Sequence, residues 1–87
     1  MPNIKQQEKR VRTAARQRLE NLRYRSTVKT LTKRLERAVA SGDAATIAGE
    51  HRELVRTIDK AAARGALHEN AAARKKAQAS RLVSSRP

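Results

Sequence analysis

The stretch "SGDAATIAGEHRELVRTIDKAAARG", residues 41–65, decides the fold. Ile47, Val55, Ile58 and Ala62, joined by Leu54 and Ala61, fall on one stripe at helical spacing. Gly42 and Gly65 stand where a helix should stop, because glycine enters the left-handed backbone of a helix end without a Cβ penalty. Asp43 offers an oxygen to an otherwise unpaired N–H of the first turn. The spacing predicts an amphipathic helix over 44–64, which needs a partner for its apolar face.

Upstream, Tyr24, Val28, Leu31, Leu35 and Ala38 recur at 4, 3, 4 and 3 and supply that partner. Val11, Ala15, Leu19 and Leu22 form a second stripe on roughly the opposite side of an ideal wheel, so the two cannot face one straight neighbour. A helix over 44–64 is about 30 Å long and reaches only from Tyr24 to Ala40 as an antiparallel mate. Downstream, "HENAAARKKAQASR", residues 68–81, is alanine-rich and predicts a short third helix over 71–83, with Asn70 as its N-cap. The expected architecture is all-α: helices over 4–40, 44–64 and 71–83 in one domain spanning 1–87. The first half of the long helix projects as a basic arm that orders fully on a partner. Pro2 and Pro87 lie at the two ends of the sequence and interrupt none of this.

Charge, not apolar surface, dominates the 87 residues: 21 Lys and Arg against 8 Asp and Glu give a net +13. Residues 1–37 hold 12 cations against 3 acids, residues 38–64 hold 4 of each, and residues 65–87 hold 5 against 1. The middle helix is therefore a neutral structural member. Lys5, Lys9, Arg12, Arg16 and Arg23 line one face of the arm. Arg25, Lys29, Lys33 and Arg37 recur every four residues, nearly opposite the Tyr24–Leu35 stripe. A solvated face would interleave acids at i+4, and only Glu8, Glu20 and Glu36 are present. Rows this long call for a polyanion.

Composition narrows the choice. An acidic membrane surface would need Trp, Phe or Leu for the headgroup layer, and the arm offers Val11, Leu19 and Leu22. Stacking of single-stranded bases needs aromatics, and Tyr24 is the only one. Phosphate and shape recognition of folded or duplex nucleic acid remains, and charge alone does not separate RNA from DNA. Catalysis has little to stand on. The only histidines, His51 and His68, are not an i, i+4 pair, and no glycine-rich phosphate loop occurs. His51 falls on the apolar face of the middle helix, where a hydrogen-bonded interface histidine is expected. With no cysteine there is no disulfide framework or thiolate metal site, and no cofactor or metal is expected. "MPNIKQQEKR" lacks the apolar centre of a secretory signal, and the basic pattern continues past any transit-peptide length, so the cytoplasm is the expected compartment. A DNA-architectural protein and a helical adaptor for an acidic protein are the two rivals. The first would show apolar wedges or a dimer face, the second a large exposed apolar patch.

Particular residues at both ends add a resemblance. Gly65, His68, Asn70, Ala72, Ala73, Arg74, Lys75, Lys76 and Arg81 resemble the C-terminal signature of the bacterial small-subunit ribosomal protein twenty family. Asn3 to Lys5, then Lys9, Arg10, Arg12 and Asn21, and the run from Arg25 through Ser26 to Thr30 agree with its N-terminal half. The resemblance implies a three-helix bundle with a long first helix that binds small-subunit ribosomal RNA early in assembly and holds RNA helices together. It also implies few or no direct protein contacts, no membrane, no small-molecule substrate, and a monomer within the ribosome. The RNA-binding residues expected are Asn3, Lys5, Lys9, Arg10, Arg12, Arg16, Arg23, Arg25, Ser26, Lys29, Thr30, Lys33, Arg37, His68, Asn70, Arg74, Lys75, Lys76 and Arg81. Asn70 is expected to start the third helix with its free N–H groups near a phosphate, Arg74 and Arg81 to share a face, and Lys75 and Lys76 to fan outward. Gln6 and Gln7 stand where the family often has small residues, and Glu69 where a cation is common.

Overall fold

Three helices follow in order in the computed structural model, which describes residues 4–85: α1 (Ile4–Ser41), α2 (Ala44–Ala63) and α3 (Glu69–Ser84). Among the described residues there is no strand, as an all-α reading requires. α1 ends one residue later than its apolar period suggests, α2 one residue earlier, and α3 starts two residues earlier and ends one later. Asn3, expected at the RNA interface, lies outside the described residues.

Glycine closes α1 and α2 as expected. Gly42 has φ 77° and its N–H reaches the carbonyls of Ala38 and Val39 at 3.1 and 3.2 Å. Gly65 has φ 76°, its N–H bonds Ala62 O at 3.1 Å, and the next N–H, of Ala66, bonds Ala61 O at 2.8 Å. That nested pair satisfies carbonyls a helix end would otherwise leave open, and it buries Ala66. Only Gly42 and Asp43 separate α1 from α2, so the two helices fold back as a hairpin. Asp43 sits at the α2 N-cap with extended backbone, but its carboxylate makes no backbone cap bond and takes the Thr46 hydroxyl instead.

The start of α3 corrects the expectation. His68, not Asn70, is the N-cap: its backbone is extended and its Nδ1 accepts from the Asn70 N–H at 3.1 Å. Asn70 lies inside the first turn. The ring nitrogen of histidine does here what an asparagine oxygen does elsewhere.

The core is one layer of small and branched side chains. Val28, Leu31, Leu35 and Ala38 of α1 bury against Ile47, Leu54, Ile58 and Ala61 of α2, and α3 adds Ala72 and Ala79. The α1 stripe is the predicted one, with Tyr24 half-buried at its end. On α2 the fully buried line runs through Leu54 and Ala61, while Val55 and Ala62 are half-buried on the flank. Each fully buried Leu or Ile contributes about 1.5–3 kcal/mol of transfer free energy. α3 contributes methyl groups at its centre, which lets its backbone lie close. Half-buried Leu67, Leu82 and Val83 close its two ends.

The arm is uncovered. Ile4, Val11, Leu19 and Leu22 are 51% to 71% exposed, and from Ile4 to Arg23 only Asn21 is even half-buried. α1 nonetheless continues as α-helix through it. Propagation from a formed bundle costs no nucleation, and Ala, Arg, Gln, Glu and Leu favour the helix. The molecule is elongated, 65 × 20 × 13 Å.

Candidate nucleic-acid interface

α1 carries most of the expected binding residues and presents them on two levels. Along the arm, Lys5, Lys9, Arg10, Arg12, Arg16 and Arg23 are all exposed. At 100° per residue, Lys5, Lys9, Arg12, Arg16 and Arg23 fall within an arc of about 60°. Glu8 meets Arg12 at 3.8 Å with both side chains well exposed, a contact that neutralises little.

Beside the bundle, a second row lines a groove. Arg25, Lys29 and Lys33 of α1 face Lys75 and Gln78 of α3 across a cleft of about 520 Å³ floored by Val28, Leu54, Leu67 and Ala79. Glu36 is the one acid lining it. The Arg25 Nε–H donates to Ala66 O at 3.1 Å, so one of its five N–H groups fastens α1 to the α2–α3 turn. Segments 50 residues apart in sequence thus share one cationic groove. Ser26, Thr30 and Arg37 are exposed on α1 but do not line it, and the Thr30 hydroxyl donates to Ser26 O at 3.0 Å.

On α3 the expected residues separate. Arg74 and Arg81 are exposed on the side away from the buried Ala72–Ala79 line. Lys75 turns to the groove. Lys76 does not fan outward: its Nζ lies 2.9 Å from Asp59 Oδ1, which ties α3 to α2. At the start of α3, His68 Nδ1 takes one first-turn N–H, that of Asn70, and the Glu69 carboxylate stands at the positive end of the helix dipole. His51 departs from expectation as well. Its Nε2 is buried with no hydrogen-bond partner, in a niche with Ala44, Ile47, Ala48, Arg52 and Val83.

A second cationic cleft, of about 450 Å³, lies between α1 and α2 on the other flank of α1 and includes residues the sequence reading left out. Arg23, Tyr24 and Thr27 of α1 line it with Thr57 and Lys60 of α2 and its C-cap Arg64, and Glu20 is the acid in its lining. Counting α2 as neutral hid this. Its three cations, Arg52, Arg56 and Lys60, recur every four residues and continue to Arg64 at its C-cap, and that row was the available signal. Two of its three acids are drawn elsewhere, Glu50 to Arg34 at 3.5 Å and Asp59 to Lys76.

Among the described residues no group of three or more His, Cys, Asp or Glu could hold a metal ion, and no helix is long and apolar enough to cross a membrane. Fold and charge together define a small, wholly helical, strongly basic protein: a three-helix bundle carrying a cationic rod. Residues 2–84 match the model of the family described as ribosomal protein S20. Proteins called small ribosomal subunit protein bS20 are 45% identical over 78 residues in Heliobacterium modesticaldum, covering 90% of this chain and 89% of that one. The Kocuria rhizophila protein of that name is 42% identical over 83 residues, covering 95% and 96%. The one from Picosynechococcus sp. is 46% identical over 85 residues, covering 90% and 86%. The chain belongs to the ribosomal protein S20 family, whose members are structural and not enzymes.

Proposed function

We propose that the chain is a structural constituent of the bacterial small ribosomal subunit, in the cytoplasm, that binds small-subunit ribosomal RNA directly and joins RNA helices during assembly. Residues 1–87 act as one RNA-binding unit, monomeric within the ribosome and with few protein neighbours. The observation that carries this reading is the convergence of Arg25, Lys29 and Lys33 with Lys75 in one groove, with the cation row of the arm about 130° away around α1. Family membership and the names of the relatives support the choice of ribosomal RNA over DNA.

The mechanism is charge neutralisation on a rigid frame. Each phosphate met by a Lys or Arg releases condensed counterions, so affinity falls steeply with salt, by a slope of about 0.9 per phosphate on duplex nucleic acid. The bundle fixes where the arm and the groove stand relative to each other. The RNA must present phosphates at both places, and this converts general attraction into shape selection.

Binding to transcribed small-subunit ribosomal RNA, measured across a salt titration beside an unrelated RNA of equal length and a DNA duplex, tests the reading. A preference for the ribosomal RNA that persists at moderate salt is expected. Equal binding to all three, lost together as salt rises, would leave a non-specific polycation and return the DNA-architectural reading to the front.

A further inference from the structure

We infer that the cleft between α1 and α2, lined by Arg23, Tyr24, Lys60 and Arg64, is a second RNA-backbone site that takes a ribose–phosphate segment different from the one in the α1–α3 groove. The inference rests on the ribosomal RNA reading above and assigns residues to it that the cation rows of α1 and α3 do not include.

Charge is the first ground. Arg23, Lys60 and Arg64 converge on one cleft of about 450 Å³, and none of them has an ion-pair partner among the described residues. Against these three cations the cleft sets one carboxylate, Glu20, so it stays net positive and an entering anion relieves the repulsion among them. Arg23 and Arg64 suit bidentate contact with phosphate oxygens, and Lys60 acts as a point charge beside them. Half-buried Tyr24 has a phenolic O–H with no protein acceptor among the described residues, leaving it to donate to a phosphate oxygen.

The hydroxyls supply the second ground. Thr27 Oγ1 donates to Arg23 O at 2.8 Å, and Thr57 Oγ1 donates to Glu53 O at 2.9 Å. Each has spent its single proton inside its own helix, so what it offers to the cleft is lone pairs. A phosphate oxygen carries no proton to give them, whereas a ribose 2′-hydroxyl does. The cleft therefore combines donors for phosphate with acceptors for the 2′-hydroxyl. The α1–α3 groove is built from the same parts, since Thr32 Oγ1 donates to Val28 O at 2.8 Å beside Lys29 and Lys33.

Placement is the third ground. At 100° per residue, Thr27 and Arg23 lie on one flank of the buried Val28–Leu35 line and Arg25 and Thr32, which line the α1–α3 groove, on the other. A single RNA strand cannot occupy both clefts without passing around the bundle. Two strands, one on each side of α1, fit the placement.

The sequence contains no cysteine, so a single introduced thiol can carry a tethered iron–EDTA that cuts nearby RNA with hydroxyl radicals. Glu20→Cys, in the lining of the α1–α2 cleft, and Gln78→Cys, in the α1–α3 groove, are each bound to transcribed small-subunit ribosomal RNA and the cleaved nucleotides mapped. Two non-overlapping sets of cuts are expected. Adding Arg23→Ala, Lys60→Ala and Arg64→Ala should abolish the cuts from Glu20→Cys and spare those from Gln78→Cys. The same triple change should make the salt slope of binding shallower by about 2.7, at ~0.9 per phosphate. Circular dichroism checks that helix content is kept, and Lys60→Gln alone, at an exposed position, gives the same readout at smaller amplitude. Cuts from Gln78→Cys alone, or one set shared by both tethers, would overturn the second site and leave the proposed function standing. Specific ribosomal RNA binding with cuts unchanged in the triple variant would do the same. No cuts from either tether would overturn the site and the function together.

Discussion

Lys76 Nζ and Asp59 Oδ1 stand 2.9 Å apart, joining α3 to α2 across the face of the bundle that α1 does not cover. The pair gives neighbouring lysines different work. Lys75 lines the α1–α3 groove, and Lys76 is held by a carboxylate. Both partners remain partly exposed, 42% and 57%, so the contact itself stabilises the fold by under about 1 kcal/mol. Lys75→Ala should therefore reduce affinity for small-subunit ribosomal RNA several-fold, while Lys76→Ala changes it little. Asp59→Asn, which releases Lys76, should raise affinity. Filter binding of the three variants at one salt concentration decides the order. A larger loss from Lys76→Ala than from Lys75→Ala would show that the pair opens on RNA.

Arm and bundle should respond to different substitutions. Arg12 and Arg16 lie on a helix segment that touches nothing else in the fold. Arg12→Ala with Arg16→Ala should leave the thermal midpoint within about 4 °C, since exposed substitutions usually stay within ~0.5 kcal/mol each. The same change should lower RNA affinity and make the salt slope shallower by about 1.8, at ~0.9 per phosphate. Calorimetry and salt-dependent binding on one preparation separate the two effects.

His51 is expected to cost stability. Its Nε2 is buried without a partner, and an unsatisfied buried polar atom carries a desolvation penalty of about 1–3 kcal/mol. His51→Leu keeps an apolar body of similar bulk between Ile47 and Val83 and removes that atom. The variant should be more stable than the parent by about 1 kcal/mol in urea unfolding. Destabilisation would mean that the imidazole makes a bond to water that offsets its burial.

Gly65 gives a substitution with a purely backbone cost. A Cβ added there meets nothing within 4 Å, yet φ is +76°. Gly65→Ala should thus lose about 1–2 kcal/mol, the penalty for a left-handed L-residue, with no repacking of the core. Urea midpoints measure the loss, and an unchanged near-neighbour pattern around Ala66 in NMR spectra checks its origin. Gly65→Asn should recover part of the loss, because asparagine tolerates that region better.

Much of this architecture was legible because it depends on periods and punctuation. Val28, Leu31, Leu35 and Ala38 repeat at helical spacing, and Gly42 and Gly65 close their helices with the positive φ that glycine allows. The arm was legible from two stripes that one partner cannot cover. The start of α3 was not. Asparagine is the stronger cap by local preference, but His68 takes the role with an extended backbone and its Nδ1 on the Asn70 N–H. The α1–α2 cleft was hidden by an average. α2 balances to zero, but its fold draws Glu50 and Asp59 to Arg34 and Lys76 and leaves Lys60 and Arg64 beside Arg23. Which charges cancel is a question of three-dimensional neighbours, and a net count along the chain cannot answer it.

No glycine or proline interrupts the run from Ile4 to Ser41, so nothing in α1 can bend to absorb an error. The helix is a gauge with both a length and a phase. One residue inserted between Leu22 and Arg23 would advance the tip by about 1.5 Å and rotate its cation row by about 100° relative to the bundle. Seven inserted residues would bring the row back to within about 20° of its first heading but push it outward by ~10 Å. Small insertions in this segment therefore damage aim before reach, and changes in arm length are tolerated only in steps of about two helical turns. The register between the tip and the bundle is part of the recognition, although no side chain records it.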